Sequence, residues 1–249
     1  MAASHRLRDL SVYPHPFCAG YWHSACGEMK NIYTLIFASL IIAIRIALKQ
    51  VFIPVGDGLN IYVGFLFTAV GGSVYGPVIA LIAGAITDLI GFVIAPSGPF
   101  NPVFTLIEIL TTFLYALFLY RQKITFGRIF LTKLSVNLLG NIVANSLAMA
   151  LLYGKGVYYY LVPRIIKNIV LLPFEVVLLT AVFGALIYPM IRLRLYSAEQ
   201  NALVLKKSSY ILLAVVTAAV LAGAVFCVVH YAECKAAFKA FADSIFRRS

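Results

Sequence analysis

Long apolar runs broken by short polar stretches dominate this chain, and that pattern predicts helices that cross a bilayer. Several runs reach the roughly 18–20 residues that span a hydrocarbon core. Six spans are expected, at 31–50, 59–74, 77–95, 102–120, 128–152 and 164–191, with a candidate seventh at 209–231. The second is short and holds Gly64, Gly71 and Gly72, which predicts a tilted or irregular helix packed inside protein, where broken backbone is tolerated. The predicted fold class is all-α, a polytopic transmembrane bundle of six helices with an extra C-terminal hydrophobic helix left open. A closed barrel would alternate apolar and polar residues in segments of about ten, and continuous runs such as Leu35 to Ala43 exclude it.

Composition removes the soluble alternatives. Of the 249 residues 62% are hydrophobic and 12% charged, against about 45–50% and about 25% in soluble domains. The net charge of +11 does not mark a nucleic-acid protein, because the 20 Lys and Arg residues mostly flank the apolar runs, as topology signals do. With the start of span one inside, Lys30, Arg121, Lys123, Arg128, Arg192, Arg194, Lys206 and Lys207 fall on the inner side, and Lys49, Lys155 and Arg164 on the outer. That bias predicts a cytoplasmic N-terminus. A seventh span would put Lys235, Lys239, Arg247 and Arg248 outside, so 209–231 is read either as an addition with its own role or as a helix lying along the membrane surface.

Residues 1–28 carry three His and no apolar h-region, unlike a signal peptide. Met29-Lys30 reads as the natural start, which makes 1–28 an expected extension, 29–195 the six-helix domain and 196–249 a C-terminal extension. Cys18, Cys26, Cys227 and Cys234 form no C-x-x-C pattern and support neither a metal site nor a disulfide framework.

An ionisable side chain at the centre of a span costs about 2.5–3.5 kcal/mol on insertion scales, so each should face a partner, a cavity or a site. The candidates are Arg45, Asp88, Glu108, Lys133, Arg164, Lys167 and Glu175. In span three, Ala80, Gly84, Asp88 and Gly91 fall within about 80° of arc. Asp88 on this small face is read equally as a ligand contact or as a structural acid paired with Arg45 or a backbone donor. In span six, Arg164, Lys167, Asn168, Leu171 and Glu175 share a face, a graded stripe that suits an anion-binding wall, with snorkelling of the two bases as the alternative. In span five, Lys133, Asn137, Asn141 and Asn145 recur every four residues. They suit interhelical hydrogen bonds, or Asn137 or Asn141 reads the donor and acceptor edge of a heterocycle. Glu108 is open between core pairing and pocket lining. Phe100, Phe104 and Tyr158 to Tyr160 suit an interfacial belt, or a lid over a flat, anionic, aromatic ligand in a mostly apolar pocket.

The sequence holds no G-x-x-x-x-G-K-[ST] loop, so the chain has no ATPase of its own. It also lacks H-E-x-x-H and G-x-S-x-G, and no Ser/His or Cys/His pair occurs in the spans. The expectation is a non-enzyme with no metal and no cofactor.

Two blocks of residues carry a family resemblance. The first is Ser73-Val74-Tyr75-Gly76-Pro77, then Gly84 with Asp88, then Pro96-Ser97-Gly98-Pro99-Phe100 followed by Pro102 and Phe104-Thr105. The second is Leu152-Tyr153-Gly154-Lys155, Pro163-Arg164, Lys167-Asn168, Pro173 and Glu175. Together they resemble the substrate-binding S components of energy-coupling factor (ECF) transporters, in particular the folate-specific branch. The chain departs from that branch in having Val103 in the Pro102-Val103-Phe104-Thr105 stretch, where members often carry Gly, and Asn60-Ile61, where a basic residue precedes the second helix.

The resemblance implies a six-helix protein of the bacterial plasma membrane that binds folate or a reduced folate on its outer side. Its implied partners are one ECF transmembrane coupling subunit and two ABC ATPase subunits. On the first helix, Ala43 and Ala47 stand at the A-x-x-x-A spacing that makes the family's docking face; without the resemblance they are a small-xxx-small packing pair. The expected substrate contacts are Arg164 and Lys167 first, then Asn168, Asp88, Phe100, Asn137, Asn141, Glu175 and Arg45. Asn60 and Val103 motivate an S component for another vitamin as the alternative. A self-contained carrier using Asp88, Arg45 and Glu175 as an ion relay, and a membrane scaffold, are the readings from other classes.

Overall fold

In the computed structural model the described residues are 19–49, 52–56, 59–94, 100–154, 156–193, 195–196 and 200. The expectations for 1–18 and for a seventh span at 209–231 lie outside them. The elements run α1 (Ala19–Glu28), α2 (Ile32–Lys49), the antiparallel hairpin β1 (Phe52–Gly56) and β2 (Leu59–Tyr62), α3 (Phe65–Ile94), α4 (Pro102–Leu119), α5 (Phe126–Ser135), a π-helical segment (Val136–Ala144), α6 (Asn145–Tyr153) and α7 (Val157–Arg192). Five helical runs are long and apolar enough to cross a membrane: α2, α3, α4, α5 through α6, and α7.

A kink splits α3 and restores the count of six. Gly76 has φ 77° and ψ 176°, a region essentially closed to residues with a Cβ, and Pro77 after it removes a backbone donor. The first half of α3, 65–76, is about 18 Å long, short of the about 30 Å hydrocarbon core. It is apolar on every side and every residue from 68 to 77 is buried, as befits a helix enclosed by others. The expected second span is therefore present but begins at Phe65, because 59–62 pair with 52–56 as a strand. The last span likewise begins at Val157 rather than 164, since the Tyr158–Tyr160 run continues the helix.

Side-chain packing holds the bundle, since lipid tails leave little hydrophobic force between helices. At Gly84 a Cβ would stand 2.9 Å from Ile109 Cα, so α3 and α4 touch backbone to backbone. The main core gathers Leu66, Val70, Leu114, Tyr115, Leu179, Phe183 and Ile187. Asn101 caps α4 by accepting from Val103 N at 2.9 Å, with Pro102 opening the helix.

The two ends of the bundle differ in character. One carries the hairpin, the C-terminal ends of α2, α3 and α6, and the starts of α4 and α7. The other is closed by the chain's flanks. There α1 packs on α3 and on α4, with the Tyr21 hydroxyl donating to the Leu117 and Ala116 carbonyls at 3.1 and 3.2 Å. Buried Glu28 accepts from Arg121 Nη2 at 3.0 Å and from the Thr34 hydroxyl at 2.6 Å. Buried Tyr196 shares a hydrogen bond with Ser73, and Ile124 N donates to the Gln200 carbonyl at 3.0 Å.

Candidate ligand cavity

A cavity of about 770 Å³ opens toward the hairpin end between α2, α3, α4, the π segment and α7. Its size falls within the about 300–1,000 Å³ of small-molecule sites. Aromatic rings of Tyr62, Phe65, Phe92, Phe100, Phe104 and Tyr153 line it, and Phe92 and Phe100 meet with ring centroids 5.2 Å apart.

The charges in the wall are ordered by ion pairs between helices. Arg45 on α2 donates from Nη2 to Glu108 Oε1 at 2.5 Å and to the Thr112 hydroxyl at 3.1 Å. One turn on, Lys49 Nζ reaches Asp88 Oδ1 at 2.7 Å, and the Thr105 hydroxyl donates to Oδ2 at 2.7 Å. Across the cavity Lys133 Nζ lies 3.1 Å from Glu175 Oε1 and 3.2 Å from the Tyr115 hydroxyl, with the Phe65 ring centroid 4.0 Å away. Asp88 is thus not paired with Arg45. The i, i+4 spacing of Arg45 and Lys49 puts both on one face of α2, and the nearer base takes Asp88 while the deeper takes Glu108.

The π segment brings the span-five polar residues together. In an α-helix four-residue repeats drift about 40° per step, but i→i+5 bonding opens each turn past four residues and turns the drift back. Asn137 Nδ2 donates to Glu175 Oε2 at 2.9 Å, and Asn141 Nδ2 donates to Asn137 Oδ1 at 3.0 Å. From α7, Arg164 Nη1 approaches the Asn141 carbonyl at 3.5 Å, and Asn168 Nδ2 bonds the Arg164 carbonyl at 2.8 Å.

Eight of the nine expected contacts line this cavity: Arg45, Asp88, Phe100, Asn141, Arg164, Lys167, Asn168 and Glu175. Asn137 is 2% exposed and sits behind it, bonded to Glu175 and Asn141. Ala43 and Ala47 are exposed on the outer face of α2, away from the cavity that Arg45 and Lys49 enter. Sequence reasoning missed Lys49, read only as a loop charge, and its signal was the four-residue step from Arg45. Lys133 and Asn145 were read as interhelical glue, yet both line the cavity, as do Glu108 and Tyr115. Among the described residues no cluster of His, Cys, Asp or Glu is placed to hold a metal ion.

These features define a multi-pass helical membrane protein with a charged, aromatic cavity of ligand size buried among its spans. Comparison with known proteins narrows the class. The family described as ECF-type riboflavin transporter, S component, matches residues 29–197, and the chain belongs to that family. Membership implies a non-catalytic transport role, association with an ECF module and a small vitamin as cargo.

The curated relatives carry another vitamin's name. The chain is 28% identical over 157 residues to the folate transporter FolT of Clostridium novyi (strain NT), covering 63% of this chain and 90% of that protein. It is 27% identical over 146 residues to the folate transporter FolT of Leuconostoc mesenteroides subsp. mesenteroides, covering 55% and 79%. A solved structure, the crystal structure of FolT bound with folic acid, superposes with a TM-score of 0.57 at 27% identity, covering 61% of this chain and 94% of that one.

Proposed function

We propose that this S component captures folate or a reduced folate at the hairpin end of the bundle and delivers it through an ECF module. The observation that carries the reading is the charge balance of the cavity. Five bases, Arg45, Lys49, Lys133, Arg164 and Lys167, stand against three acids, Asp88, Glu108 and Glu175, a balance of +2. That matches the two carboxylates of folate's glutamate, with Arg164 and Lys167 on α7 as their partners, while the aromatic wall suits the pterin and aminobenzoate rings. The FolT names of both relatives and the folic acid in the similar structure support the same ligand.

Sidedness follows from charge. Lys30, Arg121, Lys123, Arg128 and Arg192 cluster at the end away from the cavity, which by the positive-inside rule is cytoplasmic. The N-terminus is then inside and the cavity outside. The exposed Ala43 and Ala47 on α2 form the docking face for the transmembrane coupling subunit, whose two ABC ATPase partners supply the energy this chain has no motif to supply. The family's riboflavin description favours one second reading, the flavin as cargo. Titration of detergent-solubilised chain separates the two. Replacing Arg164→Ala together with Lys167→Ala is expected to weaken folate binding at least about tenfold, by the loss of charge-assisted hydrogen bonds worth about 1.5–3 kcal/mol each. Unchanged folate affinity in the double variant would refute the assignment.

A further inference from the structure

The side-chain amides in the cavity wall have a polarity fixed by groups that only accept, Glu175 for one pair and backbone carbonyls for the others. A carboxylate only accepts, so Asn137, 2.9 Å from Glu175 Oε2, must turn its Nδ2 toward it. That leaves Asn137 Oδ1 as an acceptor, and Asn141, 3.0 Å away, must offer its own Nδ2. Asn141 therefore presents Oδ1 as its remaining amide acceptor at the cavity it lines. The same logic fixes Asn168, whose Nδ2 is held by the Arg164 carbonyl at 2.8 Å, and Asn145, whose Nδ2 meets the Gly140 carbonyl at 3.3 Å. Backbone carbonyls also only accept, so neither amide is free to turn over. Among the described residues no hydrogen bond engages the Oδ1 of Asn141, Asn145 or Asn168. The three are cavity-lining acceptors on the π segment, α6 and α7 respectively.

We infer that these asparagine oxygens, Asn141 oriented through Asn137 by Glu175 and Asn145 and Asn168 by backbone carbonyls, form a set of acceptors that selects a ligand whose heterocycle presents adjacent N–H donors. This rests on the proposed folate reading and deepens it. The 2-amino-4-oxo ring of a pterin offers its 2-amino group and N3–H side by side. The dione ring of a flavin offers N3–H between two carbonyls, so one acceptor in the set would face another acceptor. The set thus favours the pterin over the flavin, and the discriminating atom is the substituent at ring position 2. Both oxygens of Glu175 are engaged by the protein, Oε1 by Lys133 and Oε2 by Asn137. In this inference Glu175 acts as a positioning residue, through Asn137.

The test compares folic acid with its counterpart carrying a carbonyl in place of the 2-amino group, titrated into the full-length detergent-solubilised chain. Wild type is expected to prefer folic acid by about tenfold or more, the range set by leaving a desolvated polar group unsatisfied. In Glu175→Gln the new amide either donates or accepts, Asn137 and Asn141 are free to turn over, and the preference is expected to narrow while folic acid still binds. In Asn141→Leu, which leaves the Glu175 pairs intact, folic acid affinity falls and the preference narrows. Equal binding of the two ligands by wild type would overturn the inference and leave the folate reading standing. A preference unchanged in both variants, with affinities for the two ligands falling together, would likewise overturn it. Binding of neither pteridine by folded wild type would overturn the folate reading and this inference with it.

Discussion

Gly140 offers a test of the π segment's role in building the cavity. A Cβ placed there would lie 2.4 Å from Thr111 Cγ2 and 3.8 Å from Thr111 Cβ, so the methyl group of one threonine takes nearly the whole clash. Thr111 is not free to swing away, because its hydroxyl donates to the Glu108 carbonyl at 3.0 Å, and giving up that bond costs about 0.5–1.5 kcal/mol. The other relief, pushing the π segment off α4, is overpacking of the kind that costs about 1–3 kcal/mol. Alanine's helix propensity returns up to about 1 kcal/mol of this. Gly140→Ala is therefore expected to cost the wild-type background up to about 2 kcal/mol. In a Thr111→Ser background, where Cγ2 is gone and the hydroxyl is kept, the same change is expected to be neutral or stabilising. The coupling between the two sites would be about 1–3 kcal/mol, read by denaturant unfolding in detergent micelles with the four proteins of a double-mutant cycle. Folate affinity should follow the same pattern, because Gly140 sits next to Asn141 and one turn from Asn137. An equal cost in both backgrounds, or none in either, would refute the packing argument.

Two further perturbations probe other parts of the molecule. Ala43→Leu with Ala47→Leu, on the exposed outer face of α2, is expected to abolish copurification with the ECF module while folate binding by the isolated chain persists; retained copurification would remove this face from the docking surface. At the opposite end, burial pushes the Tyr21 and Tyr120 hydroxyls well above the ordinary tyrosine value. The unfolded chain then releases these protons first, so the stability they carry is complete below about pH 10 and declines as pH rises above it. Tyrosinate absorbance that lags the pH of free tyrosine until the protein unfolds would match this, and ionisation of both at about pH 10 in folded protein would contradict it.

Much of the bundle is legible in the sequence because bilayer thickness dictates run length. The starts of α2 and α4 and the break at Gly76-Pro77 lie at or next to expected boundaries for that reason. The hairpin was not legible, since 59–62 is apolar enough to extend the next helix and only pairing with 52–56 makes it a strand. The π segment was missed as such, although the four-residue repeat from Lys133 to Asn145 is its trace: polar residues that drift apart in an α-helix stay together when turns widen. Within the site, the residue set on α7 followed from helical spacing alone. Which acid each base would take did not, because Arg45 and Lys49 share a face and only the placement of α3 and α4 decides between Asp88 and Glu108. For the same reason spacing did not show that Lys133 and Asn137 each engage one oxygen of Glu175.

Calorimetric titration of the purified, detergent-solubilised chain with folate and, separately, riboflavin, after stripping any copurified ligand, is the most direct test. Tight one-to-one binding of folate with neither nucleotide nor partner subunits present, and weak or absent binding of riboflavin, is the expected result. Tight riboflavin binding, or no heat with folate from demonstrably folded protein, would contradict a cavity built for a pterin with two carboxylates.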